Sequence, residues 1–339
     1  MAVDRLDRRA ALAKLAGIAA VGCGGAATGA LRAPGERRAA ASASARASSS
    51  PSASAEVMAS ASASTVPLPP KRRDPPELEV LDWMFPTEFG GEKRAVILKP
   101  KVIPAGTKLP VLVALHGFGE TIDVKTGAYG WLRSYALDRC YRAVASAPMV
   151  EADFESLVTP DRLTALNSEL AKRPFEGLIV ACPFMPKEIG SEMVPMEMYG
   201  SWLGKRLLPK IHGSLPALSS PASTGIDGVS LGGWAALRVG LLRPDLFGVI
   251  GTLQAAVIDA PQIDWAMALI SSSLKGRPLR VVTSTEDVYR DTLSKLDARL
   301  TAKSINHEFL LTQGPHDYIW NKGPGGIEML HWHDRTLSR

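Results

Sequence analysis

The chain has 339 residues, 46% of them hydrophobic, enough for one large core or two small ones. Its formal charge of +5 is unevenly spread: residues 1–73 hold 11 Lys/Arg against 4 Asp/Glu, leaving 28 against 30 in the remainder, so nothing argues for a nucleic-acid partner. Cys23, Cys140 and Cys182 stand in no metal-ligand spacing, which excludes a disulfide-built scaffold and a cysteine-based zinc site; Cys140 and Cys182 read as buried free thiols, with pairing as the alternative.

In chain order, the first element is an address. The charge-bearing residues 4–16 are followed by a mildly apolar, Gly- and Ala-rich run to Thr28, the layout of an export signal. The run is too short for a membrane span, which needs about 20 apolar residues. Arg8-Arg9 with Leu12 and Lys14 resembles the twin-arginine export signal of bacteria. An amphipathic N-terminal helix is the alternative. Ala20-Val21-Gly22-Cys23 resembles a lipobox, which makes Cys23 the lipidated first residue of the mature chain. Residues 1–30 are therefore assigned as an export signal, and 31–76 as an Ala/Ser/Pro-rich disordered linker. Residues 39–65 are almost all Ala and Ser and bury too little apolar surface to offset their ordering entropy. The expected location is outside the cytoplasm, periplasmic or cell-surface, with membrane contact only through the lipid anchor.

Residues 77–339 alternate strand-like and helix-like stretches. Apolar runs at 94–99, 109–115, 178–182, 225–229, 249–253, 279–283 and 308–312 are short and several are continuous, as expected for strands covered on both faces. Helical stretches at 232–242, 291–303 and 326–337 separate or follow the later ones. This order predicts a doubly wound, mainly parallel α/β sheet. Residues 120–176 are too long for a plain loop. They hold helix-compatible segments at 131–137 and 163–171 and read as a lid-like insertion over the sheet end. Residues 186–195 are a second variable piece of that rim.

Gly228-Val229-Ser230-Leu231-Gly232 follows a predicted strand and opens a predicted helix. A strand that turns abruptly into a helix needs small residues beside the nucleophile, and it lifts the Ser230 hydroxyl above the sheet. Serine needs a base held by a third group. In folds with this elbow the acid and then the histidine follow the serine. Of the downstream histidines, His316 lies just past the last predicted strand, His307 at that strand's other end, and His331 and His333 inside the terminal helix. His316 is therefore the candidate base. Thr285-Glu286-Asp287 ends the preceding strand, making Asp287 the candidate acid, with Glu286 and Asp291 as alternatives; helix capping is the other reading of these residues. His116-Gly117-Phe118-Gly119 follows another strand, so the N–H groups of Phe118 and Leu231 are the expected oxyanion donors, with His116 bracing the turn. Tyr129, Trp131, Tyr135 and Trp202 are candidates for an apolar acyl or aromatic pocket; the alternative is that they pack the insertion onto the sheet.

With Arg243-Pro244-Asp245-Leu246-Phe247 and Gly314-Pro315-His316-Asp317-Tyr318-Ile319-Trp320 added, the chain from about Val111 onward resembles the esterase-D-type branch of the α/β-hydrolases. The resemblance implies the α/β-hydrolase fold, hydrolysis of small-molecule carboxylic esters, no cofactor, and the triad Ser230, Asp287 and His316. Two other readings stand beside it. One is an acyltransferase that uses the same triad with a sugar or another alcohol as acceptor. The other is a non-catalytic surface lipoprotein that binds through the old pocket.

Overall fold

The computed structural model describes residues 71–87, 91–190 and 193–339. The export signal, Cys23 and the linker as far as residue 70 lie outside the described residues. Eight strands are found among the described residues: β1 Leu78–Phe85, β2 Lys93–Pro100, β3 Val111–Leu115, β4 Ile179–Pro183, β5 Thr224–Gly228, β6 Val249–Leu253, β7 Leu279–Glu286 and β8 Glu308–Pro315. They form one sheet in the order β1-β2-β4-β3-β5-β6-β7-β8. The β1–β2 and β2–β4 pairings are antiparallel and every other pairing is parallel. Nine helices of seven or more residues accompany them: α1 Val124–Arg133, α2 Leu137–Ala145, α3 Pro160–Lys172, α4 Met193–Trp202, α5 Leu208–Ser214, α6 Leu231–Leu242, α7 Ala260–Ser273, α8 Arg290–Ala302 and α9 Gly326–Thr336.

The continuous apolar runs have a direct cause. Successive strand residues point to opposite faces, so a strand covered on both faces favours apolar residues at every position, and a polar one there needs a buried partner. Val111, Val113 and Leu115 of β3 enter one core with α4–α8, while Leu112 and Ala114 enter a second core with α1, α2, α3 and α9. Edge strand β1 alternates instead: Val80, Asp82 and Met84 are exposed while Leu81, Trp83 and Phe85 are at least partly covered.

The 120–176 insertion is helical. Its first helix, α1, packs against β2 and β4, and its second, α2, against α9. The expected helix over 131–137 is broken. Residues 134–136 separate α1 from α2, and Ala136 takes a left-handed conformation at φ 49°. A helix cannot continue through that geometry. Because β3, β5, β6, β7 and β8 are parallel, the turns that leave their C-terminal ends all gather at one edge. Ligand sites of open α/β sheets form at that edge.

Candidate active site

Ser230 joins β5 to α6 with φ 57° and ψ −119°, a conformation that L residues seldom take. The surrounding backbone holds it there. Ser230 N–H donates to the Leu253 carbonyl at 2.9 Å, and its carbonyl accepts from the amides of Trp234 (3.1 Å) and Ala256 (2.9 Å). The flanking glycines are steric requirements. A Cβ on Gly228 would stand 2.5 Å from the Gly232 carbonyl oxygen, and one on Gly232 would collide with the backbone of Leu115 and His116.

His316 follows β8, where Gly314 turns the chain at φ 115°. Its Nε2 lies 3.0 Å from Ser230 Oγ and its Nδ1 lies 2.8 Å from Asp287 Oδ1. The Asp287 side chain is fully enclosed, with Oδ2 accepting from the Thr283 hydroxyl at 2.6 Å and Oδ1 from the Tyr289 amide at 3.0 Å. A carboxylate held this way fixes the imidazole tautomer with the proton on Nδ1, leaving Nε2 facing the serine as an acceptor. Glu286 and Asp291 are both exposed, and Asp291 pairs with Arg290 at 3.5 Å; Asp287 is the one of the three that contacts His316. His307 bonds Asp297 at 2.8 Å at the opposite end of β8. His333 is buried against Asp227 at 3.0 Å, and His331 is likewise buried.

The turn after β3 is set by His116. Its ring is fully buried, with Nδ1 2.8 Å from the Gly117 carbonyl and Nε2 2.9 Å from the Met185 amide. The carbonyl only accepts and the amide only donates, so the proton resides on Nδ1. Burial pushes the ring pKa down to about 4, so it is neutral near pH 7. The Gly117 carbonyl and the Phe118 N–H belong to one planar peptide unit. By holding the oxygen, His116 therefore fixes the direction of the Phe118 N–H. Leu231 opens α6, and the first amides of a helix have no carbonyl a turn back to donate to. Phe118 thus stands on the turn after β3, where the preceding His116 backbone packs against Gly232 of the elbow, and Leu231 stands at the start of α6.

The four aromatic pocket candidates do not come together. Trp131 and Tyr135 are buried in the core of one sheet face, where their rings meet edge to face at 5.0 Å. Trp202 is buried on the opposite face against Phe85 and Tyr199. Tyr129 turns toward the edge strands, donating to Asp82 at 2.8 Å beneath the Arg133 guanidinium. Cys140 and Cys182 are free and buried; burial raises the Cys140 thiol to about 12 and the Cys182 thiol still further.

Sequence reasoning missed Thr283 and Gln254. Gln254 is fully buried just after β6, and its Nε2 donates to Ser284 Oγ at 2.7 Å and to the Pro315 carbonyl at 3.0 Å. It ties the acid strand to the residue that precedes His316. No motif marks either residue, since their partners are set by strand order rather than by spacing.

No family model and no curated protein matches the chain. Solved structures do. A ferulic acid esterase superposes with a TM-score of 0.55 at 16% identity, over 77% of this chain and 99% of that one. The S-formylglutathione hydrolase of Staphylococcus aureus gives 0.53 at 14%, over 76% and 99%. The enterobactin esterase of Shigella flexneri gives 0.53 at 14%, over 78% of this chain and 61% of the other. At such identities the likeness shows the fold, which is that of the α/β-hydrolases.

Proposed function

We propose that the protein is a serine hydrolase that cleaves small-molecule carboxylic esters through an acyl-enzyme on Ser230. The observation that carries this reading is the placement of one imidazole between a strained serine hydroxyl and a buried carboxylate, at 3.0 and 2.8 Å. The fold likeness adds support, since the three neighbours are by name a hydrolase and two esterases.

In this mechanism His316 Nε2 takes the Ser230 proton as Oγ attacks the ester carbonyl, and the carbonyl oxygen becomes an oxyanion held by the Phe118 and Leu231 amides. Asp287 stabilises the imidazolium that forms. Collapse of the tetrahedral adduct breaks the bond to the alkoxy oxygen, which leaves as the alcohol with the proton from His316. Water then gives a proton to the same nitrogen and attacks the acyl carbonyl. The second collapse returns the proton to Ser230 and releases the carboxylic acid.

The N-terminal segment extends the proposal: the chain is exported through its Arg8-Arg9 signal and tethered to a membrane by a lipid on Cys23. Labelling cells with an alkynyl fatty acid tests this. Cys23→Ala should lose the label and move the protein to the soluble fraction.

The catalytic test is labelling with a fluorophosphonate, followed by mapping of the adduct. It is expected on Ser230, and Ser230→Ala should lower kcat on a competent ester by at least about 10⁴-fold. Folded protein that hydrolyses no ester in a panel of short-acyl, long-acyl, aromatic-acyl and acetyl-sugar esters, and carries no adduct on Ser230, overturns the reading.

A further inference from the structure

One buried carboxyl group links the oxyanion turn to the loop that carries the base. Glu120 lies two residues after Phe118, yet it is only 2% exposed. It accepts from the hydroxyl of Tyr135, which is itself 2% exposed. The Tyr135 oxygen in turn accepts the Gly117 N–H at 3.0 Å. Burial raises the pKa of this carboxyl, while the hydroxyls of Tyr135, Tyr318 and Ser134 act to lower it. Tyr318 stands two residues beyond His316, and its ring stacks on that of Tyr135 with centroids 5.8 Å apart. It leans over the turn so closely that a Cβ on Gly119 would stand 2.6 Å from its hydroxyl oxygen.

We infer that Glu120, Tyr135 and Tyr318 form a positioning relay that sets the oxyanion turn and the His316 loop relative to one another. The inference rests on the esterase reading and goes beyond it, since none of the three belongs to the triad or is an expected oxyanion donor. His116 holds the Gly117–Phe118 peptide by its oxygen, and Tyr135 holds the same turn at the Gly117 nitrogen. With both ends held, the Phe118 N–H is aimed before substrate arrives, which is the condition for an amide to favour the transition state over the ground state. Tyr318 extends the restraint to the base loop, so the donor and the base keep one spacing. A chain of neutral hydroxyls converging on a carboxyl is an arrangement that packing alone does not require. A phenylalanine would fill either tyrosine site.

The test compares Tyr135→Phe, Tyr318→Phe and Glu120→Gln with the unaltered full chain. As a control, Tyr141→Phe removes an equally buried tyrosine hydroxyl that bonds the Leu178 amide and carbonyl at the far end of the sheet. Tyr135→Phe and Glu120→Gln should lower kcat by about 10–100-fold with KM within about threefold. The rate of fluorophosphonate labelling, whose adduct loads the oxyanion hole, should fall in parallel. Tyr318→Phe should show a smaller loss of the same form, and Tyr141→Phe should leave kcat, KM and labelling rate unchanged. Should Tyr135→Phe fail to fold, the exposed Tyr318 supplies the decisive variant. Kinetics of Tyr135→Phe and Tyr318→Phe equal to those of Tyr141→Phe overturn the relay while leaving the esterase reading intact. Absence of both hydrolysis and labelling in the unaltered protein removes the two together.

Discussion

At Ser230 the backbone angles, φ 57° and ψ −119°, cost a non-glycine residue on the order of 1–3 kcal/mol. Three backbone hydrogen bonds hold the residue in place, so the surrounding sheet bears the strain. Ser230→Gly should therefore abolish hydrolysis yet raise stability by about 1 kcal/mol, the relieved strain outweighing the extra freedom of glycine in the unfolded chain. A higher chemical-denaturation midpoint checks it. His116 and His331 give a second prediction at this scale. Burial lowers both to about 4, from 6.5. The unfolded chain then binds protons first as pH falls, so their contribution to stability is complete above 6.5, shrinks below it, and is gone below about 4. Each adds a slope of about 1.4 kcal/mol per pH unit within that window. His331→Gln, remote from the catalytic edge, should flatten the fall in stability between pH 6.5 and 4.5 by roughly that amount per unit.

The elements show which short-range signals were sufficient. Gly228 and Gly232 announce the elbow because no other residue fits between strand and helix. Gly228→Ala should cost about 1–3 kcal/mol or more through overpacking against backbone that has nowhere to move, with loss of activity, measured by denaturation and ester turnover. The strands of the parallel sheet were legible as short apolar runs, several of them continuous. Strand β1 was not read as one: its alternation over Leu78–Phe85 includes Glu79 and Asp82, which suit a half-exposed edge as readily as a loop. The break between α1 and α2 was also missed. Residues 131–137 carry a helical pattern, and nothing local announces that Ala136 turns left-handed. Tertiary contacts decide it: Tyr135 is drawn to Gly117 and Glu120, which an unbroken helix would not allow.

Across the whole molecule, the buried charges show how the layers are joined. Glu328 of α9 is 1% exposed and pairs with Arg280 of β7 at 2.7 Å and Arg162 of α3 at 2.6 Å. Burial alone pushes this carboxyl up, but Arg280 and Arg162 outweigh it and hold it below the usual carboxylate range. Glu328→Gln removes the buried carboxylate that Arg280 and Arg162 share, leaving Arg280 only the half-exposed Glu308 at 3.0 Å, and should cost about 3 kcal/mol, read from the shift in denaturation midpoint. The sequence by itself determined the α/β architecture, the elbow at Ser230 and the identity of the candidate base. These rest on periods and steric exclusions that act within a few residues. Only the tertiary structure brought Asp287, the first choice among three neighbouring carboxylates, against His316, separated the aromatic candidates onto opposite faces of the sheet, and joined Glu120, Tyr135 and Tyr318. Those outcomes depend on which strands lie side by side and how deeply each side chain is enclosed, and long-range order of that kind leaves no local pattern.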